Sequence, residues 1–565
     1  MAGIAVPNEN KNMMPNSSNK PVPQAMPTAW LVALATAWIL PGLLGHDPWK
    51  PDEAYTFGLV YSLLNGGDWI VPMLAHEPFM EKPPLFYWSA AIVAKLLSPP
   101  FALHDAARLT TGVYMALTFG FVSLAARELY GKGRGSLATL LLMACLGIVI
   151  RSHQLITDIA LLTGFAAAFY GLALALRRPA AGGFWLGTGV GIGFMSKGLL
   201  APGIFGIIVV LLPLLPAWRT RNHIYTLMVA ALACAPWLLA WPAALHAKSP
   251  VLFNEWLMVN NFGRFLGSND LGPTADSAHY LRILPWYALP ALPLAMWALW
   301  RARSKGLTTP PYALPLLGFV VIFAVLSVSA DARELYALPM LIPLALLATP
   351  SIDTLRRGAA YLIYWFSIMG GGFFMIVAWF YWIALELAVP AKLHAHLHTL
   401  QPGYAPGFKW LAFALAMFYS LGWVFVLLKL RKSRERPVLA WTATMTMIWG
   451  LIAILFVGWL DAGKSYRAMI ADMQKALPAK YDCIASQSLG EPQRAMLHYY
   501  ANIITWRMDE PSRKRDCELT LAQGVANEEN VPLGRWEKIW EGTRPGDKVE
   551  RYRLYKRVDS PAVKH

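Results

Sequence analysis

The chain has 565 residues, 56% of them apolar and 13% aromatic, and only 15% carry charge, against about 25% in an average soluble domain. This composition excludes a string of soluble domains, a disordered chain and a collagen-like fibre. The formal charge of +16 raises nucleic acid as a partner, so where that charge sits along the chain matters.

The first 27 residues are polar and rich in Pro, Asn and Ser, a composition that favours disorder. Apolar runs long enough to cross a bilayer then recur. Thirteen spans are predicted, at about 28–46, 107–127, 135–151, 158–176, 183–196, 198–217, 223–243, 280–300, 312–329, 334–350, 359–384, 408–428 and 438–459. The first lacks a strong basic flank and reads as an uncleaved span rather than a signal peptide. The fifth and sixth are short and Gly-rich. An odd number of spans puts the termini on opposite sides. With the N-terminus in the cytoplasm, the short cytoplasmic connections carry Arg127, Lys132 and Arg134; Arg177 and Arg178; Arg219 and Arg221; Arg301, Arg303 and Lys305; Arg356 and Arg357; and a final run from Lys429 to Arg436. The positive-inside rule requires this pattern. The excess charge is a topology signal, and no nucleic-acid partner is assigned.

Two outer segments stand apart from the spans, a loop over about 47–106 and a tail over 461–565. The tail holds 18 Lys/Arg and 15 Asp/Glu, the composition of a small soluble domain. An amphipathic helix (Tyr466 to Leu477) and strand-like runs (Cys483 to Ser486, Val549 to Tyr555) predict a compact α/β domain in the periplasm. Cys483 and Cys517 both lie in it. An oxidising compartment allows them to pair, and spacing alone leaves that open. The expected organisation is a disordered cytoplasmic segment (1–27), a membrane domain (28–460) and a soluble domain (461–565). A loop of this length suggests a lid.

Ionisable residues at membrane depth or on its rim point to function. Here they gather on the outer side: Asp52, Glu53, Glu81, Lys82, Asp158, Lys197, Arg264, Arg333 and Glu334. The opposite rim is almost purely basic. One cavity at the outer leaflet is expected to collect them.

The motifs around these residues are specific. Trp49-Lys50-Pro51-Asp52-Glu53-Ala54 is followed by Gly67-Asp68-Trp69 and then by Glu81-Lys82-Pro83-Pro84-Leu85-Phe86-Tyr87-Trp88. The order and spacing resemble the first outer loop of the aminoarabinose lipid A transferases. That family is grouped with the protein O-mannosyltransferases among GT-C glycosyltransferases, which use polyprenyl-phosphate-sugar donors. Thr157-Asp158, Gly193 to Gly198 around Lys197, Phe262-Gly263-Arg264-Phe265, and Arg333-Glu334-Leu335-Tyr336 through Pro343 resemble further family segments. The resemblance covers about residues 28–350. Tyr55 stands where the family often has Arg. The family's loop before the arginine often carries a His that holds a metal with the Glu of Glu-Lys-Pro-Pro. Here Asn260 and Asn261 occupy that region, so Glu81 is a possible metal ligand and no cofactor is certain.

The resemblance implies an α-helical polytopic membrane protein of GT-C type with about 13 transmembrane helices. It implies transfer of a sugar, with inversion, from a polyprenyl (undecaprenyl) phosphate to lipid A, another envelope glycan or a protein. The leaving phosphate monoester needs cations rather than a general acid. Lys82, Lys197, Arg264 and Arg333 are the candidates, and Arg can hold two phosphate oxygens. A hydroxyl acceptor would benefit from a base, for which Asp52 is chosen, with Glu53 beside it. With a phosphate acceptor, Asp52 or Asp158 would instead orient the sugar or stabilise the cationic centre. Glu81, Tyr55, Tyr87 and Tyr336 are assigned to substrate.

Plainer roles stand beside these. Asp52 and Asp158 could cap helices, Lys197 could snorkel, Arg264 and Arg333 could anchor headgroups, and Tyr87 and Trp88 could mark the membrane interface. His394, His396 and His398 are read as a solvated loop. A transporter would favour charge at the bilayer midplane and paired halves, and neither is evident. An assembly or sensor protein would tolerate loss of Asp52 and Lys82.

Overall fold

Backbone in hydrocarbon must satisfy its own hydrogen bonds, so the apolar runs are helical. The computed structural model describes residues 27–267, 278–329, 331–430, 432–508, 515–528 and 531–558. The predicted apolar runs are helical, in one or more segments each, beginning with α1 (Thr28–Ile39), α4 (Leu103–Tyr130), α5 (Gly135–Met143) with α6 (Leu146–Arg151), α7 (Thr157–Ala175), α8 (Pro179–Lys197), α9 (Leu200–Leu211) and α10 (Arg221–Lys248). Among the described residues, seven helices are long and apolar enough to cross a membrane alone. An eighth span would be the bent pair His279–Tyr287 and Ala291–Arg303, which turns through 94°. The sequence predicts one span there, over about 280–300. Pro290 supplies no backbone donor, and it precedes the second helix.

The Gly-rich region resolves into α8 and α9. Gly198, with φ +66°, ends α8 directly after Lys197. The glycines form a seam: a Cβ on Gly164 would meet the Gly189 carbonyl oxygen at 2.6 Å, and one on Gly187 the Ala230 carbonyl oxygen at 2.2 Å. Helices α7, α8 and α10 approach closely along it, as small residues allow in a membrane.

The outer loop is structured. It contains α2 (Asp52–Leu64), a hairpin of β1 (Met73–Leu74) and β2 (Glu77–Pro78), and α3 (Leu85–Leu97). The tail forms the helices Arg467–Ala476 and Glu491–Ala501 and a five-stranded sheet, β3 (Ile484–Gln487), β4 (Thr505–Arg507), β5 (Leu519–Val525), β6 (Trp536–Gly542) and β7 (Glu550–Arg557). Its order is β4-β3-β5-β7-β6, with β3 parallel to β4 and β5, and β7 antiparallel to β5 and β6. Cys483 and Cys517 are joined by a disulfide. The loop and tail share one apolar core, in which Phe57 and Phe86 pack with Met469, Met496 and Leu554. Gly58 is required there, since a Cβ would lie 2.5 Å from that of Ala495. The His394–His398 segment is helical (Ala391–Leu400) rather than a loop, and His394 Nδ1 lies 3.0 Å from the Ala384 carbonyl.

One buried ion pair ties loop to membrane domain. Arg108 on α4 is fully buried and donates to Glu53 Oε1 at 2.9 Å and Asp105 Oδ1 at 2.8 Å. It also donates to the carbonyls of Leu43 (3.2 Å) and His46 (3.1 Å). Arg108→Ala strands the Glu53 charge in the interior and should cost about 3–5 kcal/mol. The double variant Glu53→Gln/Arg108→Met should lose less than Arg108→Ala alone. Thermal unfolding of the detergent-solubilised protein measures both.

Candidate active site

The rim of the membrane domain, the outer loop and the tail enclose a cavity of about 260 Å³, near the small end of ligand cavities, which run about 300–1,000 Å³. Pro51, Asp52 and Tyr55 enter from the start of α2, and Glu81 and Lys82 from the segment before α3. Asp158 comes from the first turn of α7. Arg333, Leu335 and Tyr336 come from the start of a 3-10 turn, and Glu491 and Pro492 from the tail.

Asp52 is not a cap. The N-cap of α2 is Pro51, with no side-chain cap hydrogen bond, and the N-cap of α7 is Ile156, likewise without one. Asp158 instead pairs with Lys197. Lys197 also lies 3.6 Å from the centre of the Tyr336 ring, so it turns inward rather than snorkelling. Tyr336 donates to Asp331 Oδ2 at 3.1 Å, and Arg333 Nε is 3.8 Å from Asp331 Oδ1. Lys82 donates to the Tyr55 hydroxyl at 2.6 Å. Burial pulls the Lys82 ammonium down, but Tyr87, Glu81 and Asp158 around it hold it above its ordinary value. Burial, reinforced by the charge of Asp52, holds the Tyr55 phenol well up, so it is a neutral partner for Lys82.

Of the expected site residues, Glu53, Tyr87 and Lys197 do not line the cavity. Glu53 is buried and turned away: besides Arg108 it accepts from the Leu155 amide at 2.9 Å and the Trp49 amide at 3.3 Å. Its carboxylate is fully engaged in holding backbone, which does not suit a base beside Asp52. Tyr87 is fully buried, not at a membrane interface, and its hydroxyl has no hydrogen-bond partner among the described residues. The Arg264 side chain lies outside the described residues. Glu334 approaches Arg151 (3.7 Å) rather than the cavity.

Neither of the positions where the resembled family often has a metal-binding His supplies an imidazole. The Asn261 carboxamide accepts from the Leu199 amide at 3.0 Å and donates to the Trp256 carbonyl at 2.8 Å. Among the described residues no cluster of three or more His, Cys, Asp or Glu has metal-binding geometry.

Sequence reasoning missed Asp331 and Glu491. Asp331 lay two positions before Arg333 and was open to inspection. Glu491 carried no local signal, since it arrives from a separate domain. Burial and the nearby charge of Glu81 push its carboxyl up to about 7, from an ordinary 4.5. A raised folded-state value means that its stabilising contribution is complete below about 4.5 and is lost as pH rises through about 7. Thermal stability should therefore fall across that window by an amount on the order of 1–3 kcal/mol, and Glu491→Gln should flatten the fall.

Comparison with known proteins agrees with this geometry. Residues 81–241 match the family described as dolichyl-phosphate-mannose-protein mannosyltransferase. The chain is 26% identical over 503 residues to the undecaprenyl phosphate-alpha-4-amino-4-deoxy-L-arabinose arabinosyl transferase 1 of Pseudomonas fluorescens, covering 85% of this chain and 80% of the relative. It is 34% identical over 334 residues to the enzyme of the same name from Sodalis glossinidius, covering 56% and 58%. The fold is similar to that of ArnT from Cupriavidus metallidurans bound to undecaprenyl phosphate, with TM-score 0.66, 16% identity, and 94% and 98% of the two chains covered. With residues of the Asp-Glu, Glu-Lys-Pro-Pro and Tyr336 segments meeting in one cavity, the chain is similar over most of its length to proteins named as undecaprenyl phosphate-aminoarabinose transferases and shares the fold of ArnT.

Proposed function

We propose that the chain transfers a sugar from an undecaprenyl-type phosphate to an acceptor at the outer face of the inner membrane, with lipid A or another envelope glycan as that acceptor. The observation that carries this reading is the convergence of Asp52, Lys82, Asp158 and Arg333, from four separate segments, on one cavity at the membrane rim. A transporter has no need of such a group at one end of its helices. The proposed topology has thirteen crossings, a cytoplasmic N-terminus and a periplasmic tail domain, supported by the basic connections and by a disulfide suited to an oxidising compartment.

In this reading the donor phosphate meets Lys82 and Arg333, with Lys197 behind them. The bond from the anomeric carbon to the phosphate oxygen breaks, its electron pair stays on the phosphate, and an acceptor oxygen takes the opposite face. Asp52 stands beside the sugar and receives the proton of a hydroxyl acceptor. Asp158, held by Lys197, orients the sugar. Tyr55, Tyr336 and Glu81 complete its surroundings. The side chain of Arg264 is proposed as a further phosphate contact on the strength of its motif.

The test is mass spectrometry of lipids, lipid A, envelope glycans and proteins from a deletion strain complemented at matched levels. Wild type should restore a sugar-sized mass difference. Asp52→Ala and Lys82→Ala should lower it by about 100-fold or more. The molecule that carries the difference identifies the acceptor. A protein acceptor is the second reading, favoured by the family match over residues 81–241. If both variants restore the wild-type profile, the catalytic assignment fails.

A further inference from the structure

The histidines at 394, 396 and 398 stand in a new relation once their segment is a helix. Ala391–Leu400 is 10 residues long. At 3.6 residues per turn, His394 and His398 share one face, and His396 stands on the other side. The rings of His394 and His398 lie 6.4 Å apart, centre to centre. Leu393 and Leu397, one position before each histidine, anchor the helix in a cluster with Ala384, Leu385 and Trp459. His394 Nδ1 lies 3.0 Å from the Ala384 carbonyl oxygen. A carbonyl only accepts, so in the neutral ring Nδ1 carries the proton and Nε2 keeps its lone pair. Ala384 belongs to the last turn of the Arg357–Leu387 helix, where carbonyls have no partner within the helix. Capping that carbonyl occupies Nδ1 and leaves Nε2 unused. His398 is exposed, and among the described residues it makes no hydrogen bond or ion pair.

We propose that His394 and His398 form a surface binding site for a divalent transition-metal ion that favours imidazole, such as Zn2+, Ni2+ or Cu2+. Two histidines one helical turn apart are a proven way for a helix to present a chelating pair of nitrogens. A metal sits about 2.0–2.1 Å from each nitrogen, which asks the two rings to close by roughly 1 Å. Rotation of the exposed His398 side chain supplies that closure. The Ala384 carbonyl does for His394 what an outer partner does in metal sites generally: it fixes the tautomer and aims the ring. Among the described residues no third His, Cys, Asp or Glu joins the pair, so solvent completes the coordination. The site has half the ligands of a structural zinc site, and its affinity is accordingly micromolar or weaker. Mg2+ and Ca2+, which take oxygen ligands, do not suit it. The pair shares no residue with the Asp52 cavity, and the proposal stands independently of the glycosyltransferase reading.

The experiment titrates Zn2+ calorimetrically into the full-length protein in nanodiscs, purified without a polyhistidine tag, with Mg2+ as the comparison ion. Zn2+ held elsewhere on the protein survives in the double variant His394→Gln/His398→Gln and is subtracted. Wild type should show a saturable Zn2+ site beyond that background and none for Mg2+. His398→Gln leaves one imidazole and should weaken the site by about tenfold or more. Because His398 is exposed and unbonded, this variant leaves the packing of the helix intact. His396→Gln, off the chelating face, should change the affinity by less than about twofold. Zn2+ should also slow hydrogen exchange over residues 391–400 in wild type and not in His398→Gln, which places the ion on this helix. A wild-type titration no different from that of the double variant overturns the proposal. Equal losses from His396→Gln and His398→Gln overturn it as well, since they would mark unspecific binding to a histidine-rich segment.

Discussion

The Arg108–Glu53 pair sets the geometry on which the site depends. Asp52 is the residue before Glu53, and the Leu155 amide that bonds Glu53 lies just before Asp158 on α7. One carboxylate thus fixes two segments relative to each other, and each segment presents its own acid to the cavity. The guanidinium in turn draws in the carbonyls that end the first membrane segment, at Leu43 and His46. A buried ion pair is weak evidence for stability, because its desolvation cost is large. Its value here is register: an apolar replacement could fill the space but would not hold the Leu155 and Trp49 amides.

The tail makes that register rigid. Asp47 accepts from Ser465 at 2.6 Å and from Arg467 Nε at 2.8 Å. Lys50 reaches Glu550 at 3.1 Å, and the Trp49 indole donates to Asp461 at 2.8 Å. These contacts bracket the Asp52 turn with charges from the tail. With the shared apolar core beneath them, α2 and α3 form a shelf built into the soluble domain. The loop length suggested a lid, but the packing makes its base a fixed wall of the site.

The sequence made the membrane helices legible because hydrocarbon leaves the backbone few alternatives. The motif residues Asp52, Lys82, Asp158 and Tyr336 were legible because their chemistry is expensive at the rim of a bilayer. What stayed hidden was the direction of each side chain. Glu53 follows Asp52 in sequence but lies on another face of α2, so adjacency misassigned its role. The Lys197–Asp158 pair joins two helices, and no local pattern encodes it. The turn at Pro290 interrupts a run that remains apolar throughout, so hydropathy carries no mark of it. The histidines at 394, 396 and 398 sit in a short helix, whose 3.6-residue period spreads alternate positions around the axis.

In the proposed reaction the cations of the site would differ in how readily they meet a phosphate. Lys197 is neutralised by Asp158, and Arg333 lies near Asp331. An incoming anion must compete with, or displace, a carboxylate at each. Lys82 is bonded to a phenol that burial keeps neutral, and among the described residues it forms no ion pair. Exchanging a neutral hydroxyl for a phosphate oxygen gains a charge–charge interaction without losing one. Tyr55 therefore does more than fill space. It holds Lys82 in place, satisfied but unneutralised, so that in the proposed reaction the ammonium would meet the donor with its charge intact.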